Sequence, residues 1–401
     1  MEQTNKTTNF SQALLWLGAA ISIAEILTGA LIAPLGLEKG IFAILLGHII
    51  GCVILYFSGF IGAKSKLSAI ESTRISFGQY GSYVFSILNI LQLVGWTAVM
   101  IINGAKAFDV VTKTAFGFQN EVLWSILIGA LICVWIIVGI KNLTKINIIA
   151  VGGLFIFTII LGWVVFFSNA PNANEIISSI SFGAAVELSV IMPLSWLPLI
   201  SDYTRNLKNE KSGTLVSAVS YSIGSTFMYV IGLGAALFAG TSDISAILIA
   251  AGLSFIALVI VLFSTVTTTF LDVYSAAVSF VNISRKSNEK LVSILVCVIG
   301  VIIALSVPTT QYESFLYLIG SAFAPLFAIM ITDFFILKNN TLNSSCLFNM
   351  KNSVIWVIGV ILYRLLMNID TPIGSTLPTM LLVALICIIV NKGVILCSKK
   401  S

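Results

Sequence analysis

The stretch "VELSVIMPLSWLPLISDYTR", residues 186–205, decides the fold. It is apolar enough to cross a bilayer, yet it carries Pro193 and Pro198. Proline removes a backbone donor and clashes with the preceding turn, so a helix here is interrupted or kinked at membrane depth. A second stretch, "AEILTGALIAPLG" at 24–36, holds helix breakers in a comparable setting and predicts a second break, with Glu25 just ahead of its glycine. Such backbone is tolerated in hydrocarbon only where it faces protein or a water-filled cavity.

The rest of the chain supplies the membrane. Of 401 residues, 58% are hydrophobic and 9% charged, and the mean hydropathy is +1.06. That balance excludes a soluble domain. Apolar runs of about 17 to 25 residues recur, the length a helix needs to cross roughly 30 Å of hydrocarbon. Membrane strands would alternate in polarity instead. Twelve transmembrane helices are expected, near 13–34, 40–62, 81–105, 122–140, 146–168, 182–203, 214–239, 247–281, 291–307, 314–337, 353–368 and 376–397.

Lys and Arg favour the cytoplasmic side. With the N-terminus inside, 17 of the 21 basic residues fall on cytoplasmic segments, among them Lys64, Lys66, Arg74, Arg205, Arg285, Lys399 and Lys400. Lys39, Lys106, Lys113 and Arg364 fall at the outer face. Both termini are therefore expected in the cytoplasm, in a multi-pass protein of the cytoplasmic membrane. The net charge of +5 reports this topology and attraction to anionic lipid, with no nucleic-acid partner. The first span has no small-residue cleavage site after it and reads as a retained helix, with no signal peptide. The six cysteines show neither C-x-x-C nor framework spacing and read as packing residues.

The two breaks lie five spans apart. That spacing predicts two five-helix repeats of opposite orientation, 13–168 and 182–337, preceded by a tail at 1–12 and followed by two additional helices at 353–397. A secondary transporter binds its substrate near the midplane between such broken helices. No phosphate-binding loop of the form G-x-x-x-x-G-K-[ST] occurs, so the chain has no nucleotide motor of its own. One histidine, no H-E-x-x-H and no nucleophile and base pair argue against an enzyme. A channel is a further class, but no filter-like repeat is present.

Candidate site residues are the polar groups that hydrocarbon penalises. Asp272 in "TTTFLDVYSAAVS" (267–279) lies ten residues before Asn282, roughly 15 Å by helical rise from the basic end of its span. A carboxylate at that depth costs about 2.5 to 3.5 kcal/mol on insertion scales and should face the bundle interior. Ser264, Thr268, Asp272, Ser275 and Ser279 form one polar stripe. Asp272 either meets a substrate or ion, or serves as structural glue. Glu25, with Ser22 and Gly29 on its face, is the second intramembrane acid. Glu187 is expected in a partly hydrated vestibule, and His48 as a packed residue. Gln92 and Trp96, four apart in "QLVGWTAVMIING", offer an amide beside a flat aromatic, which suits a planar hydrogen-bonding ring.

Several motifs in order, "GFIGAKSKLSAIESTRISFG" (59–78), the "GW" at 95–96, "SDYTRNLKN" (201–209) and "TTTFLDVYSAAVSFVNIS" (267–284), resemble the nucleobase:cation symporter-1 family, which includes cytosine permease. The resemblance runs over about 10–395. Within it, "SIAEILTGALIAPLGLEKG" (22–40) and "TTTFLDVYSA" are most similar to CytX-type permeases of hydroxymethylpyrimidine, a thiamine precursor. The resemblance implies a LeuT-like fold, ten core helices plus two, and import of a small pyrimidine coupled to Na+ or H+, with no other cofactor. It implies an ion site made by the carbonyls of Ala24 and Leu27 with the hydroxyls of Ser264, Thr267 and Thr268, and ring stacking on Trp96. Gln92 is displaced by about one residue from the family's glutamine. The family's asparagines in span eight are replaced around Thr269, Leu271 and Asp272, and its span-six aromatic aligns near Pro193, with Trp196 almost a turn further on. These departures point to an aminopyrimidine held by Asp272 or Glu25. Cytosine, another nucleobase or an allantoin-like compound is the alternative. Oligomeric state stays open.

Overall fold

The computed structural model describes residues 6–167, 179–242, 255–306, 311–343 and 345–398. Twelve helical segments follow one another in it, and among the described residues eight helices, or nine with the bent first pair, are long and apolar enough to cross a membrane. The first is a broken pair, α1 (Asn9–Ala20) and α2 (Ile23–Leu31), bent by 54° between Asn9–Ala20 and Ile23–Leu35. Then come α3 (Leu37–Ser65), the short α4 (Ala69–Ser72), α5 (Arg74–Phe116), α6 (Glu121–Val138) and α7 (Ile140–Phe167). The sixth pass is α8 (Phe182–Ser195) with α9 (Leu197–Thr204), and α10 (Glu210–Ala239), α11 (Phe255–Ile283) and α12 (Glu289–Ser306) follow. Next are α13 (Tyr312–Ile331), continued by a π-helical turn at Thr332–Ile336, then α14 (Met350–Leu366) and α15 (Thr376–Ser398). Residues 247–254 of the expected eighth span, and Lys399 and Lys400, lie outside the described residues.

Two boundaries differ from expectation. The third pass extends beyond 81–105 because α5 starts at Arg74, turning at Gly78, whose φ of 75° suits a residue without a Cβ. In the first pass the break falls at Ile21 and Ser22, whose ψ values of 86° and 159° leave the helical region, and not at Gly29. Gly29 stands inside α2, where an added Cβ would run into the backbone of Tyr229 on α10. Its glycine serves close helix approach, the usual role of small residues between membrane helices. Gly232 on α10 meets the Ile26 backbone in the same seam. Pro34 lies in a 3-10 turn, Ala33–Leu35, that ends the pass.

The sixth pass breaks where the prolines predict. Trp196 separates α8 from α9, and Leu199 N donates to Trp196 O (3.0 Å), not to the carbonyl four residues back, that of Ser195. The start of α1 and the end of α9 meet at one face: Thr7 N donates to Asn206 O (3.0 Å) and Lys208 N to Thr7 O (3.1 Å). The two broken passes thus run antiparallel through the bundle. Outward faces are apolar, as on α3, where Phe42, Leu45, Ile49 and Val53 form an exposed stripe at helical spacing.

Candidate substrate site

Both breaks and the middles of α5 and α11 converge on one central cavity. Its walls include Ser22, Ala24 and Glu25 from the first pass, Trp96 from α5, Ser195 and Trp196 at the second break, and Thr268 and Asp272 from α11. The open space is about 20 Å³, room for roughly one water molecule, so the walls are closed on each other.

The two acids in this cavity are held differently. Glu25 sits in the first turn of α2, at the positive end of the helix dipole. It is 1% exposed, and both oxygens are satisfied from α10: Tyr221 donates its hydroxyl to Oε1 (2.7 Å) and Ser225 to Oε2 (2.6 Å). His48 is buried and does more than pack. Its Nδ1 donates to Ile44 O (2.8 Å), its Nε2 lies 2.7 Å from Ser225 Oγ, and its ring stands edge-on to Tyr229. Asp272 is 6% exposed and has no hydrogen bond or ion pair among the described residues. An uncompensated buried carboxyl is costly, and most native polar groups avoid that state. No basic side chain is among the described residues of the cavity wall.

Trp96 faces the cavity with its Nε1 unpartnered, and its ring meets Tyr312 at 6.1 Å and Phe315 at 5.6 Å, both edge-on. Trp196 is braced by Trp16 at 5.5 Å and Tyr221 at 5.8 Å. Gln92 is placed beside the cavity wall, where it satisfies the carbonyl that the second break frees. Its Nε2 donates to Ser195 O (2.9 Å) and to Asn89 Oδ1 (3.1 Å), while Oε1 has no partner. Asn89 in turn donates to Pro198 O (3.3 Å) and Ser279 Oγ (2.8 Å), so α5 splints the break from one side.

Of the residues expected to hold an ion, Ala24 and Thr268 border the central cavity. Ala24 O lies within α2 and accepts Thr28 Oγ1 (2.8 Å). Leu27 borders a different cavity, Thr267 is buried, and the side chain of Ser264 lies outside the described residues. Thr269 is buried away from the cavity and donates to Thr265 O (2.7 Å). Glu187 borders a cavity of about 360 Å³ with Ser181, Asp370 and Ser375, as a vestibule residue would, but its carboxyl is 1% exposed, and Tyr363 (2.5 Å), Ser375 N (2.6 Å), Thr376 N (2.8 Å) and Thr376 Oγ1 (2.6 Å) all donate to it. The reason is the start of α15, whose free N–H groups need an acceptor and find it on α8. Tyr221 and Ser225, which hold Glu25, were missed by sequence reasoning; their one signal is an i, i+4 polar pair inside an apolar span.

Two antiparallel broken helices closing on a cavity of this kind are the architecture on which secondary transporters are built. The chain belongs to the family of permeases for cytosine/purines, uracil, thiamine and allantoin, whose model matches residues 1–389. It is 29% identical to the cytosine permease of Escherichia coli (strain K12) over 325 residues, 79% of this chain and 75% of that one. It is 22% identical to the hydantoin permease of Microbacterium maritypicum over 383 residues, 88% of this chain and 77% of that one. Among solved structures it is similar to Mhp1, a nucleobase-cation-symport-1 family transporter, closed with bromovinylhydantoin bound (TM-score 0.79, 20% identity, 98% of this chain and 96% of that one). A Na+-coupled sialic acid symporter is similar at TM-score 0.61 and 14% identity, over 95% of each chain. The expected all-α, LeuT-like fold stands. The protein is a multi-pass membrane transporter of the nucleobase permease type and not an enzyme.

Proposed function

We propose that this transporter is a symporter that imports a small aminopyrimidine, hydroxymethylpyrimidine, as a thiamine precursor, driven by a Na+ or H+ gradient. The observation that carries this reading is the unpartnered Asp272 carboxyl in a cavity shared with Trp96 and Trp196. A carboxylate accepts from an exocyclic amine and from a protonated ring nitrogen, and the aromatic walls suit the ring faces. Glu25, already satisfied by Tyr221 and Ser225, orients α2 beside the ring. Gln92 holds the second break in shape and keeps one free acceptor, Oε1. Thr268 and Ala24, which border the same cavity, carry the hydroxyl and carbonyl oxygens, hard donors of the kind a Na+ ion takes as cargo. The excess of basic residues on one side supports cytoplasmic termini.

Cytosine is the second reading, favoured by the 29% identity to a cytosine permease. Uptake of labelled hydroxymethylpyrimidine, with cytosine as competitor and with and without a Na+ gradient, separates the two. Concentrative uptake that excess cytosine leaves intact is the expected result. Uptake of cytosine in preference, or no uptake of hydroxymethylpyrimidine under either gradient, removes the aminopyrimidine assignment.

A further inference from the structure

A second cavity lies on the other side of the Trp96 wall. Its space is about 310 Å³, an order of magnitude more than the central one and within the range of small-ligand pockets, which begin at about 300 Å³. It lies between α2, α5, α12 and α13, toward the end of α5 remote from Arg74. Leu27, Val99, Ile102 and Phe315 make it largely apolar, and no charged side chain is among the described residues of its wall.

One feature sets this space apart from an ordinary packing void. Asn103 is 4% exposed, borders the cavity, and its side-chain amide has no hydrogen-bond partner among the described residues. Leaving such a group dry costs about 1 to 3 kcal/mol, so an apolar filler does not resolve it. A lipid tail fits the walls and leaves the amide unmet. A flat, uncharged heteroaromatic ring satisfies both, because an amide donates and accepts while Phe315 and Tyr312 cover the ring face.

The two chambers share one partition. Trp96 lines the central cavity, and its neighbour Gly95 lines the second. A Cβ at Gly95 would stand 2.5 Å from the Phe315 ring, so the glycine lets that ring lie against α5. Tyr312 closes the partition through its hydroxyl, 2.8 Å from Thr28 Oγ1.

We infer that this cavity is a second binding site for the same class of ligand, an antechamber that holds one uncharged heteroaromatic ring on Asn103 before it passes Trp96. The inference rests on reading the chain as a carrier of such rings. The test is equilibrium binding to the full chain in lipid nanodiscs, with labelled hydroxymethylpyrimidine, cytosine and uracil as probes. The bound probe should saturate at two rings per chain. Asn103→Leu, which keeps bulk and removes the amide, should lower this to one, or weaken the second component about 3- to 10-fold, the value of a neutral hydrogen bond. Asn103→Gln should restore it. Ser314→Phe, which fills the chamber from the opposite wall, gives the same readout if the leucine variant fails to fold.

Asp272→Asn serves as the separate control on the central site. Loss of one ring with Asn103→Leu but none with Asp272→Asn leaves the antechamber standing and removes the central assignment. Saturation at one ring per chain for all three probes, or two-ring binding that ignores Asn103, overturns the inference.

Discussion

Replacing Asp272 by asparagine tests the central assignment most directly, because the structure makes the cost fall on binding and not on folding. The carboxyl has no partner to lose among the described residues, so the substitution breaks no internal hydrogen bond. It also removes a buried ionisable group that the empty protein leaves uncompensated, which is neutral or favourable for the empty protein. In the complex the carboxylate would accept a charge-assisted bond from the ring amine, worth about 1.5 to 3 kcal/mol. Losing that bond weakens binding about 10- to 150-fold, since roughly 1.4 kcal/mol is a factor of ten. The assay is a binding isotherm on purified protein beside its thermal unfolding midpoint. The expected result is the weakened isotherm with a midpoint equal to or above that of the wild type. A midpoint that drops sharply would mean that Asp272 is structural glue, and an unchanged isotherm would remove it from recognition.

Two further substitutions probe the scaffold. Gln92→Leu strips Ser195 O of its donor at the second break and should cost about 1 to 3 kcal/mol of stability, seen as a lower unfolding midpoint; an unchanged midpoint would show that Asn89 alone holds the break. Gly29→Val places a side chain against the Tyr229 backbone, which cannot yield as a flexible side chain would, so monodisperse protein should be lost in size-exclusion profiles; normal yield would mean that α2 and α10 separate without penalty.

How far the sequence carries depends on which physical signal each feature leaves. The helical segments were legible because hydrocarbon requires an apolar run of fixed length, and the second break because Pro193 and Pro198 leave backbone groups that must be met elsewhere. The first break was misplaced for an equally physical reason. Glycine marks either a bend or a close approach, and only the position of Tyr229, some 200 residues away, makes Gly29 the latter. Asp272, Glu25, Trp96 and Trp196 could be named because a charge or a large ring in a membrane helix stands out. Gln92 stood out too, but its bond to Ser195 O exists only once α5 and the break are side by side. Asn103, in the same "MIING" stretch, passed unnoticed because a single amide near a helix end looks like any other until its surroundings prove empty of partners.

The contrast between the two acids also bears on how a ring would drive the transport cycle. A ligand shifts a conformational equilibrium only by its differential affinity for the states involved. In the closed, empty cavity Glu25 is fully bonded, so a ring gains nothing from it without first displacing Tyr221 or Ser225. Asp272 is unbonded in the same state, so whatever it gains from a ring is gained only where the walls have parted enough to admit one. A cavity of about 20 Å³ admits no pyrimidine, and that contact therefore acts wholly on the difference between closed-empty and ring-occupied states. On the proposed reading, the free acid would couple occupancy to movement, and the bonded acid would keep α2 aligned while the movement occurs.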